Sequence, residues 1–250
     1  MRVGDMTAWF LTVAFGLIAA LFASVGQAGG AGYVGLMGLF GFPAPEIKVT
    51  ALALTVLVSL IGVFGFARAG LIRLREWYPF ALLGVPGALL GGVVNLPAGW
   101  YRGIVALLLL VAAARMARSA RGGEAHDRET KALPFLPALL AGGAVGFVAG
   151  ITGVGGGIFL VPLLLMFHWA PTRRAAAIAQ VNNLYTAAAA LIGVWAAGPQ
   201  FPQDMPQWTL AAAVGGLLGA WAGSKHLPVI TLRYILAAIL MASGIKLALG

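Results

Sequence analysis

Apolar stretches follow one another along almost the whole chain, and most are close to the roughly 20 residues an α-helix needs to cross the hydrocarbon core of a bilayer. Spans are expected at 7–25, 48–67, 77–95, 101–118, 133–151, 174–197, 207–225 and 230–248. Two further apolar segments, 28–43 and 155–169, are too short and too rich in glycine for a full crossing, and read as re-entrant or broken helices. Taken alone, Ala8 to Val25 would pass for a signal peptide. It runs into more of the same instead of a small-residue cleavage site and a polar region, so it reads as a span. Charged residues make up 9% of the sequence against about one quarter in soluble domains, which excludes an ordinary soluble enzyme. The fold class is therefore all-α polytopic membrane protein, with about eight transmembrane helices plus two short glycine-rich segments.

A formal charge of +9 would by itself invite nucleic acid as a partner, but the basic residues cluster in short connections. Arg68, Arg73 and Arg75 share one, and Arg115, Arg118, Arg121, Arg128 and Lys131 another. That placement is what orientation by cytoplasmic positive charge produces, with some attraction to lipid headgroups; no nucleic-acid partner is expected. The sequence contains no cysteine, so disulfides, thiolate nucleophiles and cysteine-bound metals are excluded.

The polar stretch "ARSARGGEAHDRETK" divides the chain near its midpoint, giving a first membrane repeat over 1–118, a cytoplasmic linker over 119–132 and a second membrane repeat over 133–250. Laying Trp77 to Arg102 over Trp208 to Arg233 without a gap matches Trp77 with Trp208, Gly84 with Gly215 and Gly92 with Gly223, and pairs Leu96-Pro97 with Leu227-Pro228. "GQAGGAGYVGLMGLFGFPAPEIK" answers likewise to "GVGGGIFLVPLLLMFHWAPTRR". Inverted repeats place Arg73, Arg75, the linker, Arg173, Arg174, Lys225 and Arg233 on one side, leaving mainly Arg2, Lys48 and Arg102 opposite. A parallel arrangement splits the charges more evenly, so positive-inside counting favours inversion.

"GITGVGGGIFLVP" looks at first like a phosphate-binding loop, but it lacks the preceding strand, the Lys-Ser or Lys-Thr end and a soluble βα context. At membrane depth, clustered glycines supply a helix break whose free backbone N–H groups suit an anion. Gly142, Gly146 and Gly150, and Gly215, Gly219 and Gly223, are regularly spaced and read as packing faces. Gly155, Gly156 and Gly157 point all around a helix and cannot form one face, so they read as a functional break, matched in the first half by Gly29 and Gly30. Asn182 and Asn183, beside Gln180, Tyr185 and Thr186, are amides inside an apolar span. They serve either as interhelical glue or as donors to substrate oxygens, alongside Gln27, Ser24, Thr55 and Ser59 from the first half. By offset, their counterparts fall near Val56 and Leu57, which makes such a site asymmetric.

Glu46 and Glu76 lie at span ends and read as solvated residues more readily than as proton carriers. Trp195, Trp208 and Trp221 read as boundary or surface anchors, and Arg68 as a snorkelling residue. No His, Asp or Glu residues recur at ligand spacing, so no metal and no cofactor are expected. Protons as coupling ion and an ion-independent route both remain open.

The segments "GFVAGITGVGGGIFLVPLLLMF" and "APTRRAAAIAQVNNLYTAAAALIG", with "LFASVGQAGGAGYVGLMGLFG" in the first half, resemble the signature of the sulfite exporter TauE/SafE family, also called the 4-toluene sulfonate uptake permease family. The resemblance spans essentially the whole chain. It implies a secondary transporter in a bacterial or archaeal inner membrane that moves small sulfur-containing anions or organic acids, such as sulfite, a sulfonate or sulfoacetate. The glycine motifs at 29–32 and 153–157 would flank the path. Members handling thiosulfate use cysteines along that path; their absence here counts against that substrate. A membrane enzyme would show a coherent set of acids, histidines or a nucleophile with its base, and none is present. An anion channel or a non-transporting scaffold is the alternative.

Overall fold

The computed structural model describes residues 3–121, 131–196, 198, 201–223 and 229–249. Most of the polar linker, with His126 and Arg128, lies outside the described residues, as do Lys225, His226 and Leu227-Pro228. The described chain forms helices α1 (Val3–Ser24), α2 (Gly30–Leu39), α3 (Ala44–Arg68), α4 (Leu74–Val93), α5 (Ala98–Arg121), α6 (Phe135–Thr152), α7 (Gly157–Met166), α8 (Thr172–Trp195), α9 (Met205–Gly223) and α10 (Val229–Leu249). Each coincides within a few residues with an apolar segment of the sequence. Among the described residues, four stretches are long and apolar enough to cross a membrane: Ala44–Arg68, Ala98–Arg115, Phe135–Thr152 and Arg173–Trp195. The short helices α2 and α7 fall where partial crossings are expected.

The contact residues fix the helix directions. Going along the chain, Gly142, Gly146 and Gly150 of α6 meet the backbone of Phe80, Gly84 and Ala88, so α4 and α6 run parallel. In the same way Gly215 and Gly219 of α9 meet Gly16 and Ala20 of α1. These glycines let the backbones touch, as packing faces should. Gly62 of α3 lies on Gln180 of α8, whereas Val49 and Leu52, near the start of α3, cluster with Ala187, Ala190 and Val194, near the end of α8. Those two helices therefore cross antiparallel through the centre. On the flank, α5 packs along α10, with Gly244 beside Ala106 and Leu110. Gly146→Leu is expected to lower the thermal midpoint of the purified protein steeply. Its side chain has only the Gly84 carbonyl to enter, and overpacking of a tight contact costs about 3 kcal/mol or more.

The structure corrects two expectations. Trp208 is no interfacial anchor. It is fully buried, stacked 4.6 Å from the ring of Phe15 and edge-on to Phe42 at 5.8 Å. Trp195 and Trp221, by contrast, are exposed as expected. Glu76 is not simply solvated, since Arg174 donates to its Oε1 at 3.2 Å and ties the start of α4 to the start of α8. Lys48, at the start of an expected span, is carried inside by the first turns of α3, to 4% exposure. At the end of α3, Arg68 lies 4.2 Å over the ring of Phe64, a surface position consistent with snorkelling.

Candidate functional site

Helices α1 and α6 end in the same way. Two residues past α1, Gly26 takes φ 76, and at the C-cap of α6 Gly153 takes φ 76, a left-handed conformation that glycine adopts without penalty. The Gly153 N–H donates to the Ala149 carbonyl at 2.8 Å and closes the last turn. Beyond it, Thr152 Oγ1 accepts from the Val154 N–H at 3.3 Å, and the Tyr101 hydroxyl donates to the Thr152 carbonyl at 2.9 Å. The α6 break is thereby held in place by its own side chain and by α5. After each break the chain turns back, so that α2 and α7 begin beside the middle of α3 and α8 respectively.

The N-termini of these two short helices meet. A Cβ on Gly30 would strike the carbonyl oxygen of Val154, in the opposite break, and lie 2.8 Å from Thr55 Oγ1. A Cβ on Gly157 would fall against the amide of Asn183, whose Oδ1 accepts from the Gly157 N–H at 2.6 Å. Between them lies a cavity of about 10 Å³, lined by Phe22, Gln27, Gly29, Gly30, Val154 and Asn183 among others. The first N–H groups of a helix have no intrahelical acceptor, and both helices point the positive end of their peptide dipoles at this space. Thr55 Oγ1 is fully buried and has no hydrogen-bond partner.

Of the residues expected from sequence, Gln27, Gly29, Gly30, Thr55, Gly157 and Asn183 converge here. Gly155, at φ 85, shapes the turn, where a Cβ would lie 3.3 Å from Asn183 Oδ1, and Gly156 leaves room for the Asn182 amide. Asn182 stands behind this layer: its Oδ1 accepts from the Tyr185 hydroxyl at 2.5 Å, and its Nδ2 is buried without a partner. Tyr185 itself faces Trp77 and Gly84 and does not line the cavity. Ser24 is not brought in either, since its hydroxyl donates to the Leu21 carbonyl at 2.7 Å within α1. Thr55, and not Val56 or Leu57, lies against the first glycine of α2 as Asn183 lies against that of α7. Sequence reasoning missed Thr152 and Tyr101, which brace the α6 break, and the buried Lys48. For Lys48 the available signal was its distance past Pro43 and Pro45, which open α3.

Two helix starts face one small space with uncharged donors around it, an arrangement whose chemistry suits an anion. The sulfite exporter TauE/SafE family profile matches residues 11–247, nearly the entire chain. The chain belongs to the sulfite exporter TauE/SafE family. A curated relative, the "probable membrane transporter protein y4hK" of Sinorhizobium fredii, is 45% identical over 244 residues, covering 97% of this chain and 99% of its own. No solved structure matches. As a family member the protein is a multi-pass secondary transporter of small sulfur-containing anions in the bacterial inner membrane, and not an enzyme.

Proposed function

We propose that the transported anion is bound and released at the midplane cavity between the starts of α2 and α7. Backbone N–H groups at the start of α2, the Thr55 hydroxyl and the amides of Gln27 and Asn183 would meet its oxygens. The observation that carries this reading is the meeting of both glycine breaks around one small space, with the buried, unpartnered Thr55 hydroxyl beside Gly30 at its edge. Uncharged donors of this kind accept sulfite, sulfonate or carboxylate oxygens, so the substrates are small sulfur-containing anions or organic acids of the sulfite, sulfonate and sulfoacetate type.

The architecture we propose is two inverted repeats, 1–118 and 133–250, each contributing four spans and one half-helix and joined by the linker at 119–132. The pairing of helices supports it: exchanging the halves converts the α4–α6 contact into α9–α1, and α3–α8 into itself. The antiparallel crossing of α3 and α8 supports it as well. Arg73, Arg75, Arg173 and Arg174 then lie at the cytoplasmic face by the positive-inside rule. Alternating access follows from rocking one repeat against the other around the fixed site. At about 10 Å³ the cavity admits no more than a water molecule, so an anion fits there only once the starts of α2 and α7 draw apart, a movement that such rocking supplies.

The test is uptake by purified protein in liposomes, with labelled sulfite, a sulfonate and a carboxylate in competition, an imposed pH gradient and an ionophore control. Saturable uptake with mutual competition is expected, and the gradient arm reports whether protons are coupled. Unsaturable flux would favour the channel. No flux by correctly oriented protein with any of the three would favour a scaffold.

A further inference from the structure

We propose that Lys48 is the fixed charge that tunes the path for anions, acting through its field and not as a ligand; the inference rests on the midplane site proposed above. Lys48 Nζ lies 3.0 Å from the carbonyl oxygen of Gly91, 2.7 Å from that of Gly92 and 2.9 Å from that of Val94, at the end of α4. Carbonyls only accept, so three such contacts require three N–H bonds. A neutral amine has two, and the geometry therefore selects the ammonium. With its donors saturated, the group has none left for a substrate. Among the described residues no carboxylate forms an ion pair with it, and its partners offset its charge only through the partial negative end of the α4 dipole.

A lysine exposed by only 4% inside a transporter keeps most of its field, because salt does not reach it. It precedes Thr55, which lies beside Gly30 of the cavity, by two turns of α3, and its side chain leads away toward the end of α4, so the charge lies on the order of 10–15 Å from the cavity. Its backbone also touches the α6 break, with Lys48 Cα 3.2 Å from where a Cβ on Gly153 would stand. The equivalent contact in the other half, Gly26 on Ala176, has no charge. Of the two breaks, only that of α6 therefore has a buried positive charge packed against it, on the side opposite Arg73 and Arg75. At an effective dielectric of about 20, a unit charge at that separation changes affinity roughly tenfold for each charge on the anion. That dependence on valence separates a field from a structural support, which would affect all substrates alike.

The experiment compares wild type with Lys48→Met and Lys48→Arg in liposomes, measuring inhibition of labelled sulfite uptake by isethionate and by sulfoacetate, which are of similar size but carry one and two negative charges. Lys48→Met should weaken isethionate about tenfold and sulfoacetate about a hundredfold, and Lys48→Arg should restore both to near wild type. Equal losses for the two anions, or none, would overturn the inference. If Lys48→Met gives no cooperative thermal transition, Lys48→Gln keeps two N–H donors for the α4 carbonyls and reads the same comparison. Absence of saturable uptake by the wild-type protein would instead remove the midplane site, a result distinct from either outcome for Lys48.

Discussion

Gly30→Val should abolish anion uptake while leaving the protein inserted and folded. A Cβ at this position has nowhere to go: it would meet the Val154 carbonyl oxygen, which belongs to the opposite break, and Thr55 Oγ1 at 2.8 Å. Neither is the far end of a flexible side chain. The cavity beside them, at about 10 Å³, holds less than the added side chain needs. Relief is available only by drawing the starts of α2 and α7 apart, which dismantles the arrangement of donors without disturbing the long helices. Even one methylene forced into a tight contact costs about 1–3 kcal/mol, and valine adds three carbons, so uptake should fall by about a hundredfold or more. Gly65→Ala is the matching control, since nothing lies within 4 Å of its Cβ position and its flux should be unchanged. Initial rates in liposomes, normalised to correctly oriented protein, make the comparison. A Gly30→Val rate within a few fold of wild type would show that the meeting of the two breaks is not on the transport path.

The helices were legible because lipid leaves the backbone few options, and a run of apolar residues near twenty long reports a helix whatever its neighbours do. The breaks were legible at Gly155 to Gly157 because three adjacent glycines have no use as a packing face. What could not be read was which polar side chains of the long helices meet the breaks. The connection from α2 to α3 covers 40–43 and that from α7 to α8 covers 167–171, one residue longer, so an offset taken from the glycine motifs no longer applies beyond the short helices. That shift hides from the sequence that Thr55 and Asn183 hold like places, each against the first glycine of a short helix. Trp208 was misread for a related reason: a tryptophan at a helix start suits a membrane boundary, and only the arrival of Phe15 and Phe42 from the other half buries it. Lys48 shows the same limit, because the carbonyls that receive it lie on α4, two elements' worth of sequence from where its charge is first met.

Asn183→Asp should impair transport more than Asn183→Ala does, although it is the gentler change for the fold. The Asp carboxylate keeps an acceptor for the Gly157 N–H, now made at 2.6 Å by the amide oxygen, and a negative charge at a helix start is itself favourable. Its thermal midpoint should therefore match or exceed that of wild type. Alanine removes this cap and lowers stability by about 1 kcal/mol. For the anion the order reverses. Alanine deletes one donor from the cavity wall, a loss of about tenfold in affinity by the ordinary worth of a hydrogen bond to a charged group. Aspartate deletes the same donor and sets a fixed negative charge where the substrate's charge must lie, so the helix ends are neutralised by the protein itself and the loss should reach about a hundredfold or more. A role as interhelical glue predicts the opposite order, with aspartate nearly harmless and alanine the more damaging. Measuring saturation curves and thermal midpoints for both variants decides between them, and a fully active Asn183→Asp would leave Thr55 and the start of α2 as the only anion-binding side of the cavity.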